Sequence, residues 1–234
     1  MYGVLVNAIA IAVGGLIGLM LRGGISDRFQ QIINHALALC VLLIGLMGAI
    51  KTENLMLMIV CTVLGSIIGE ALKIETGLEK LGGYAQRKFA KGDSTFSQSF
   101  VSATLLFCVG AMAVVGSLEA GLTGKADTLL AKSALDGVSS IIFASSLGPG
   151  VIFSAIPLLI YQGAIALLSG SAQSLLSADV IREMSAVGSI LILSLGINML
   201  NMTPKRIRVG NMLPAMLLPI AYIPLMNWIA SLMK

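Results

Sequence analysis

Eight stretches of roughly twenty residues, each rich in Leu, Ile, Val, Ala, Met and Gly, limit what this chain can fold into more than any other feature. They fall near residues 3–21, 34–50, 54–72, 99–118, 133–148, 151–168, 184–202 and 209–232. A helix rising about 1.5 Å per residue crosses a hydrocarbon layer of about 30 Å in about 20 residues, and it satisfies its own peptide groups on the way. Charge is too scarce for the alternative. Only 11% of residues are charged while 57% are hydrophobic, against about 25% charged in a soluble domain. The fold class expected is therefore all-α, a polytopic transmembrane helical bundle of about eight spans, forming one transmembrane domain over 1–234.

Some spans are better defined than others. The first, fourth, sixth, seventh and eighth are clear. The second and third have short apolar cores, and the fifth carries Asp136 and runs into Gly148-Pro149-Gly150. An interrupted, tilted or re-entrant helix is expected near 136–150. The amino terminus has no basic segment ahead of its apolar run, so Gly3–Leu21 is taken as a retained span and not as a cleaved signal. Cys40, Cys61 and Cys108 lie within apolar runs and read as buried thiols. Weak likeness between spans 1–3 and 6–8, such as Asn7-Ala-Ile and Ser154-Ala-Ile, suggests an inverted repeat.

With both termini outside, ten of the fifteen Lys and Arg residues fall in inner loops, as the positive-inside bias requires. The net charge of +4 then reflects those loops, and no nucleic-acid partner is implied. Between the third and fourth spans, Ile74, Leu78, Leu81 and Ala85 recur at helical spacing among Lys80, Arg87, Lys88 and Lys91. The segment 74–96 is expected to be a cytoplasmic amphipathic element, lying on anionic membrane lipid or serving as a solvated connector.

The polar residues inside the spans are the candidates for function. Asp136, Ser139, Ser140 and Ser146 share a stripe of the fifth span, with Ser145 close by. Glu119 and Lys132 are placed in the outer loop before it. Carboxylate, hydroxyl and freed carbonyl oxygens suit a monovalent cation or a proton-linked site. The competing reading is that the serines bond their own helix and Asp136 caps it. Gln162 in the sixth span and Asn198, Asn201 and Asn211 around the seventh and eighth are secondary candidates, or bridges between helices. Glu70 is expected to pair with Lys73. Gly14/Gly18 and Gly65/Gly69 have the small-xxx-small spacing of close helix contacts, within the chain or in a homodimer.

Enzyme chemistry is not expected. His35 is the one histidine, and no zinc motif, Walker loop, dinucleotide fingerprint or paired CxxC occurs, so no cofactor is expected. A small ion-coupled carrier of an unidentified solute or ion is the preferred reading, with a passive channel or a non-transporting membrane scaffold as alternatives.

Several motifs carry a family resemblance across nearly the whole chain. Gly3-x-x-x-Asn7 with Gly14-Gly15-x-x-Gly18, Cys108-Val-Gly-Ala-Met, Gly116-Ser-Leu-Glu-Ala-Gly, Leu135-Asp-Gly-Val-Ser-Ser-Ile-Ile-Phe-Ala-Ser, Tyr161-Gln-Gly and Asn211-Met-Leu-Pro-Ala together resemble the YdfK/YqgA-like bacterial membrane proteins, a family of unknown function. The resemblance implies a multi-pass protein of the bacterial cytoplasmic (inner) membrane. It carries over no activity.

Overall fold

Apolar runs without water must close their peptide groups into helix, and this chain does so almost throughout. The computed structural model describes residues 1–23, 26–89, 96–172 and 175–232, and among them every regular element is a helix. Three long helices come first: α1 (Tyr2–Arg22), α2 (Asp27–Ala49) and α3 (Leu55–Leu72). α4 (Ile74–Phe89) follows, then α5 (Phe96–Cys108), α6 (Ala111–Leu122), α7 (Asp127–Leu147), α8 (Gly150–Phe153), α9 (Ala155–Leu167), α10 (Ser169–Ala172) and α11 (Ala178–Met199). A 3-10 helix (Val209–Met216) leads into α12 (Pro219–Leu232).

Five helical stretches are long and apolar enough to cross a membrane, and two bent pairs raise the number to seven among the described residues. The remaining expected span is α7. It has 21 residues but carries Asp127, Lys132 and Asp136, so its composition does not mark it as a span.

The breaks differ in part from expectation. The fourth span, expected to be continuous, bends by 62° between α5 and α6, where Gly110 adopts φ 137°. Only glycine reaches that backbone region without strain. The fifth span is unbroken from Asp127 to Leu147. Its break lies at Gly148-Pro149, the glycine at φ 104° and the proline unable to continue the hydrogen-bond ladder. In the eighth span the 3-10 helix meets α12 at 41°, with Pro214, Pro219 and Pro224 along it.

Three seams hold the bundle, α1 on α7, α2 on α11, and α3 on the 3-10 helix. Glycines set each of them. Gly3 lies against Ala126 and Leu129, Gly14 against Gly137 and Ser140, and Gly18 against Ile141 and Ala144, so α1 and α7 run parallel. Gly45 meets Leu193 and Gly48 meets Ser189 in the antiparallel α2–α11 seam. Gly65 faces Ala215 and Gly69 faces Asn211. Both small-xxx-small pairs are thus used inside the protomer.

Ile11, Val41, Phe107, Phe143, Leu158, Ile192 and Met216 form the main core, with Phe107 and Phe143 edge to face at 6.2 Å. α11 lies deepest, while α2 and α3 turn residues such as Leu39 and Ile67, each 60% exposed, away from the protein. That outward apolar surface is what lipid requires.

One face of the bundle carries the starts of α1, α7 and α11, and the other carries their ends together with Arg22, Lys73, Lys205, Arg206 and Arg208. The latter is the basic face. There α4 docks on α5 and the 3-10 helix. Residues 90–95 of the expected amphipathic segment lie outside the described residues.

Candidate functional site

Four residues apart on α7, Lys132 and Asp136 share one side of the helix. The Lys132 ammonium lies 2.9 Å from one carboxylate oxygen and 2.8 Å from the other, and both residues are only 7% exposed. Asp136 stands nine residues into α7, about 14 Å from its start. Charges at such depth persist only when they neutralise each other or a solute.

Two neighbouring helices complete the cluster. The glycine seam brings α1 close enough for the Asn7 amide to donate to Asp136 at 3.0 Å and to the Gln162 carbonyl oxygen on α9 at 3.4 Å. Asn7 and Gln162 are fully buried. Yet among the described residues the Asn7 carbonyl oxygen and the Gln162 amide nitrogen have no partner, and neither does the Tyr161 hydroxyl. Cys108 ends α5, so the break at Gly110 follows just beyond it. Polar groups left unsatisfied at the centre of a bundle cost about 1–3 kcal/mol each. They are retained beside a buried ion pair and a broken helix.

The serines do not join this cluster as oxygen donors. The Ser140 hydroxyl donates to the Gly137 carbonyl and that of Ser145 to the Ile142 carbonyl, both at 2.8 Å. These are back-bonds within α7. Ser139 is half-buried on the same helix, and Ser146 lies near its other end, its hydroxyl buried without a partner among the described residues. The Lys132 ammonium occupies both carboxylate oxygens. The carboxylate-and-hydroxyl ligand set expected for a cation is therefore not assembled in this conformation.

Lys132 and Glu119 also sit elsewhere than expected. α7 begins at Asp127, which takes Lys132 out of the loop and into the helix. Glu119 lies within α6, half-buried, one carboxylate oxygen buried without a partner among the described residues.

The asparagines brace the structure. Asn198 donates to the Ile207 carbonyl at 2.8 Å and accepts from its amide at 2.9 Å, closing the loop after α11. Asn201 is exposed at φ 52° in that turn. Asn211 accepts from the Glu75 amide at 2.6 Å, capping α4 from another element, and donates to Glu70. Glu70 takes Arg208 at 2.7 Å in place of the expected Lys73, which lies just past the end of α3 in the left-handed region, at φ 53°. On the opposite face Glu183, 2% exposed, accepts from the Thr52 hydroxyl and the Glu53 amide, and fixes the α2–α3 turn.

Asn7, Lys132 and Glu183 were not among the expected site residues. The Lys132–Asp136 spacing was visible, but the helix start was placed one residue beyond the lysine. Among the described residues no group of three or more His, Cys, Asp or Glu side chains is placed to hold a metal ion.

A family model described as a protein of unknown function (DUF554) matches residues 2–223. The uncharacterized membrane protein YdfK of Bacillus subtilis (strain 168) is 34% identical over 225 residues, covering 94% of each chain. The uncharacterized protein YqgA of Escherichia coli (strain K12) is 34% identical over 221 residues, covering 92% of this chain and 93% of its own. No solved structure matches.

Proposed function

The chain belongs to the DUF554 family of unknown function, and within it we propose a small secondary carrier of an unidentified solute or ion, coupled to protons at the Lys132–Asp136 pair. The observation behind this reading is the buried ion pair itself, set beside unsatisfied amides and a broken helix. A merely structural contact on α7 does not require charges. Well-packed apolar residues hold helices as well or better.

Charge balance gives the coupling. Lys132 and Asp136 together are neutral, and a monovalent cation arriving at the carboxylate makes the cluster positive. In a low-dielectric interior that state is expensive. Release of the Lys132 proton restores neutrality, so one cation enters for each proton that leaves. Asn7 and Gln162 supply the free oxygen and nitrogen that steady the exchange. Gly110, between α5 and α6, is the hinge on which the site opens. The basic face lies toward the cytoplasm of the bacterial inner membrane, with both termini outside. An inverted relation between spans 1–3 and 6–8 belongs to the same proposal.

The test is flux in proteoliposomes loaded with a pH-sensitive dye, under imposed sodium or potassium gradients. Wild type is expected to move protons against the cation. Asp136→Asn abolishes this, Asp136→Glu restores part of it, and Lys132→Gln separates cation from proton movement. Proton and cation movement identical in wild type and a folded Asp136→Asn protein removes the pair from any transport role.

A further inference from the structure

At the basic face, far along the helices from Asp136, one cavity opens between α4, α5, α11 and the loop that Asn198 closes, and a second between α2, α5, α7 and the end of α11. The larger, ≈ 200 Å³, is lined by Glu75 and Glu79 of α4, Gln98 and Ser102 of α5, and Arg206 of the loop. The smaller, ≈ 160 Å³, is lined by Asn34, Gln98, Ser99 and Ser146. Gln98 faces both.

The charges around the larger cavity are not settled among themselves. Glu75 and Glu79 lie one turn apart on α4 and repel. Arg206 lines the same cavity, yet among the described residues it forms no ion pair with either. Glu75 is held in place by the Gly210 amide. In the smaller cavity the Ser146 hydroxyl, on a residue 6% exposed, and the Asn34 carbonyl oxygen are buried without partners among the described residues. Two carboxylates and a guanidinium kept apart across one space suit a molecule with a positive and a negative end. The volume is below the usual range for drug-sized ligands, which begins at about 300 Å³.

We infer that these cavities receive a small zwitterion of amino-acid size, its ammonium between Glu75 and Glu79, its carboxylate on Arg206, and a short polar side chain against Gln98, Asn34 and Ser146. Arginine suits the carboxylate because its planar fork bonds both oxygens. The inference adds a substrate class to the carrier reading but is read at equilibrium, independently of transport.

The experiment is calorimetric titration of the full chain in lipid nanodiscs with L-serine and L-glutamine. Ethanolamine and 3-hydroxypropionate serve as the amine-only and carboxylate-only counterparts of serine. At least one amino acid is expected to bind, with each half-molecule weaker than L-serine or L-glutamine by at least about tenfold, the loss of one charge-assisted contact. Arg206→Gln, an exposed position, removes the advantage of the amino acid over the amine. Ser146→Ala weakens the longer side chain's binding. Absence of binding by both amino acids, or equal binding of ethanolamine in wild type, overturns the assignment. Asp136→Asn separates the two readings. Amino-acid binding that survives it, with no transport by either protein, leaves this site standing and removes the carrier. Coupled cation flux without amino-acid binding does the reverse.

Discussion

In the interior of the bundle Lys132 closes on Asp136 at 2.8 Å, while at the basic face Arg206 and Glu79 line the same cavity without pairing. The Lys132 site lies in the apolar interior, where an unpaired charge costs several kcal/mol. The Arg206 site is at the rim, where water stabilises each charge separately and a gap between them costs little. The contrast teaches that burial decides which charges must meet inside the protein and which are left to water. Under the reading proposed above the two regions would do different work, the buried pair in charge balance and the rim cavity in holding a solute.

The contrast breaks most readily at the pair. Asp136→Leu leaves the Lys132 ammonium buried alone and is expected to cost about 3–5 kcal/mol, read as thermal unfolding in detergent. Adding Lys132→Met recovers most of that stability. A single variant as stable as wild type means that the ammonium already reaches water, and the distinction between the two sites disappears.

Next in size is the seam that delivers Asn7. A methyl at Gly14 meets the Gly137 carbonyl and the Ser140 hydroxyl, so Gly14→Ala is expected to destabilise by about 1–3 kcal/mol and to weaken the Asn7–Asp136 contact. Gly77→Ala, with open space around it, is the control. Comparable effects at both positions show that the α1–α7 approach is not what holds the cluster.

On the basic face, Asn198→Ala removes both bonds to Ile207. A loss of about 1–3 kcal/mol is expected, together with faster amide exchange over residues 200–208. Unchanged exchange there means that the loop bearing Arg206 is held by something else.

Smaller still are the serines. Because the hydroxyls of Ser140 and Ser145 bond carbonyls of their own helix, alanine at either position is expected to change stability by no more than about 0.5 kcal/mol and to leave cation dependence intact. A large loss of cation affinity restores them as ligands.

The smallest expected effect is at Glu75. Burial pushes its carboxyl above the ordinary range, and the nearby Glu79 adds to this against the hydrogen bond from the Gly210 amide. The unfolded chain then releases this proton at lower pH than the folded one. Stability falls as pH rises through the interval between the two values. Glu75→Gln is expected to flatten that slope in a pH series of unfolding measurements. A slope unchanged by the substitution places the titration elsewhere.

Much of the fold was legible from apolar runs because each span needs only its own residues to satisfy its backbone. Gly148-Pro149 announced its break for the same reason: proline and glycine act locally. The bend at Gly110 was not announced, since a single glycine among many in this chain carries no distinguishing signal. Within the candidate site, Asp136 stood out as a carboxylate in an apolar run. Its partner did not, because a helix start expected at 133, six residues later than Asp127, left Lys132 in a loop. Asn7 and Gln162 lie 155 residues apart in the chain, and no local pattern relates them.

The sequence by itself determined that this chain is helical, that lipid surrounds it, and where its charges are scarce. Hydropathy and proline act over one helical turn or one span, so these were available without neighbours. Only the tertiary structure decided that Asp136 is answered by Lys132 and Asn7, that Ser140 and Ser145 bond their own helix, and that Arg206 and Glu75 share a cavity. Those outcomes depend on which helices meet, and that is set by glycine seams between segments distant along the chain.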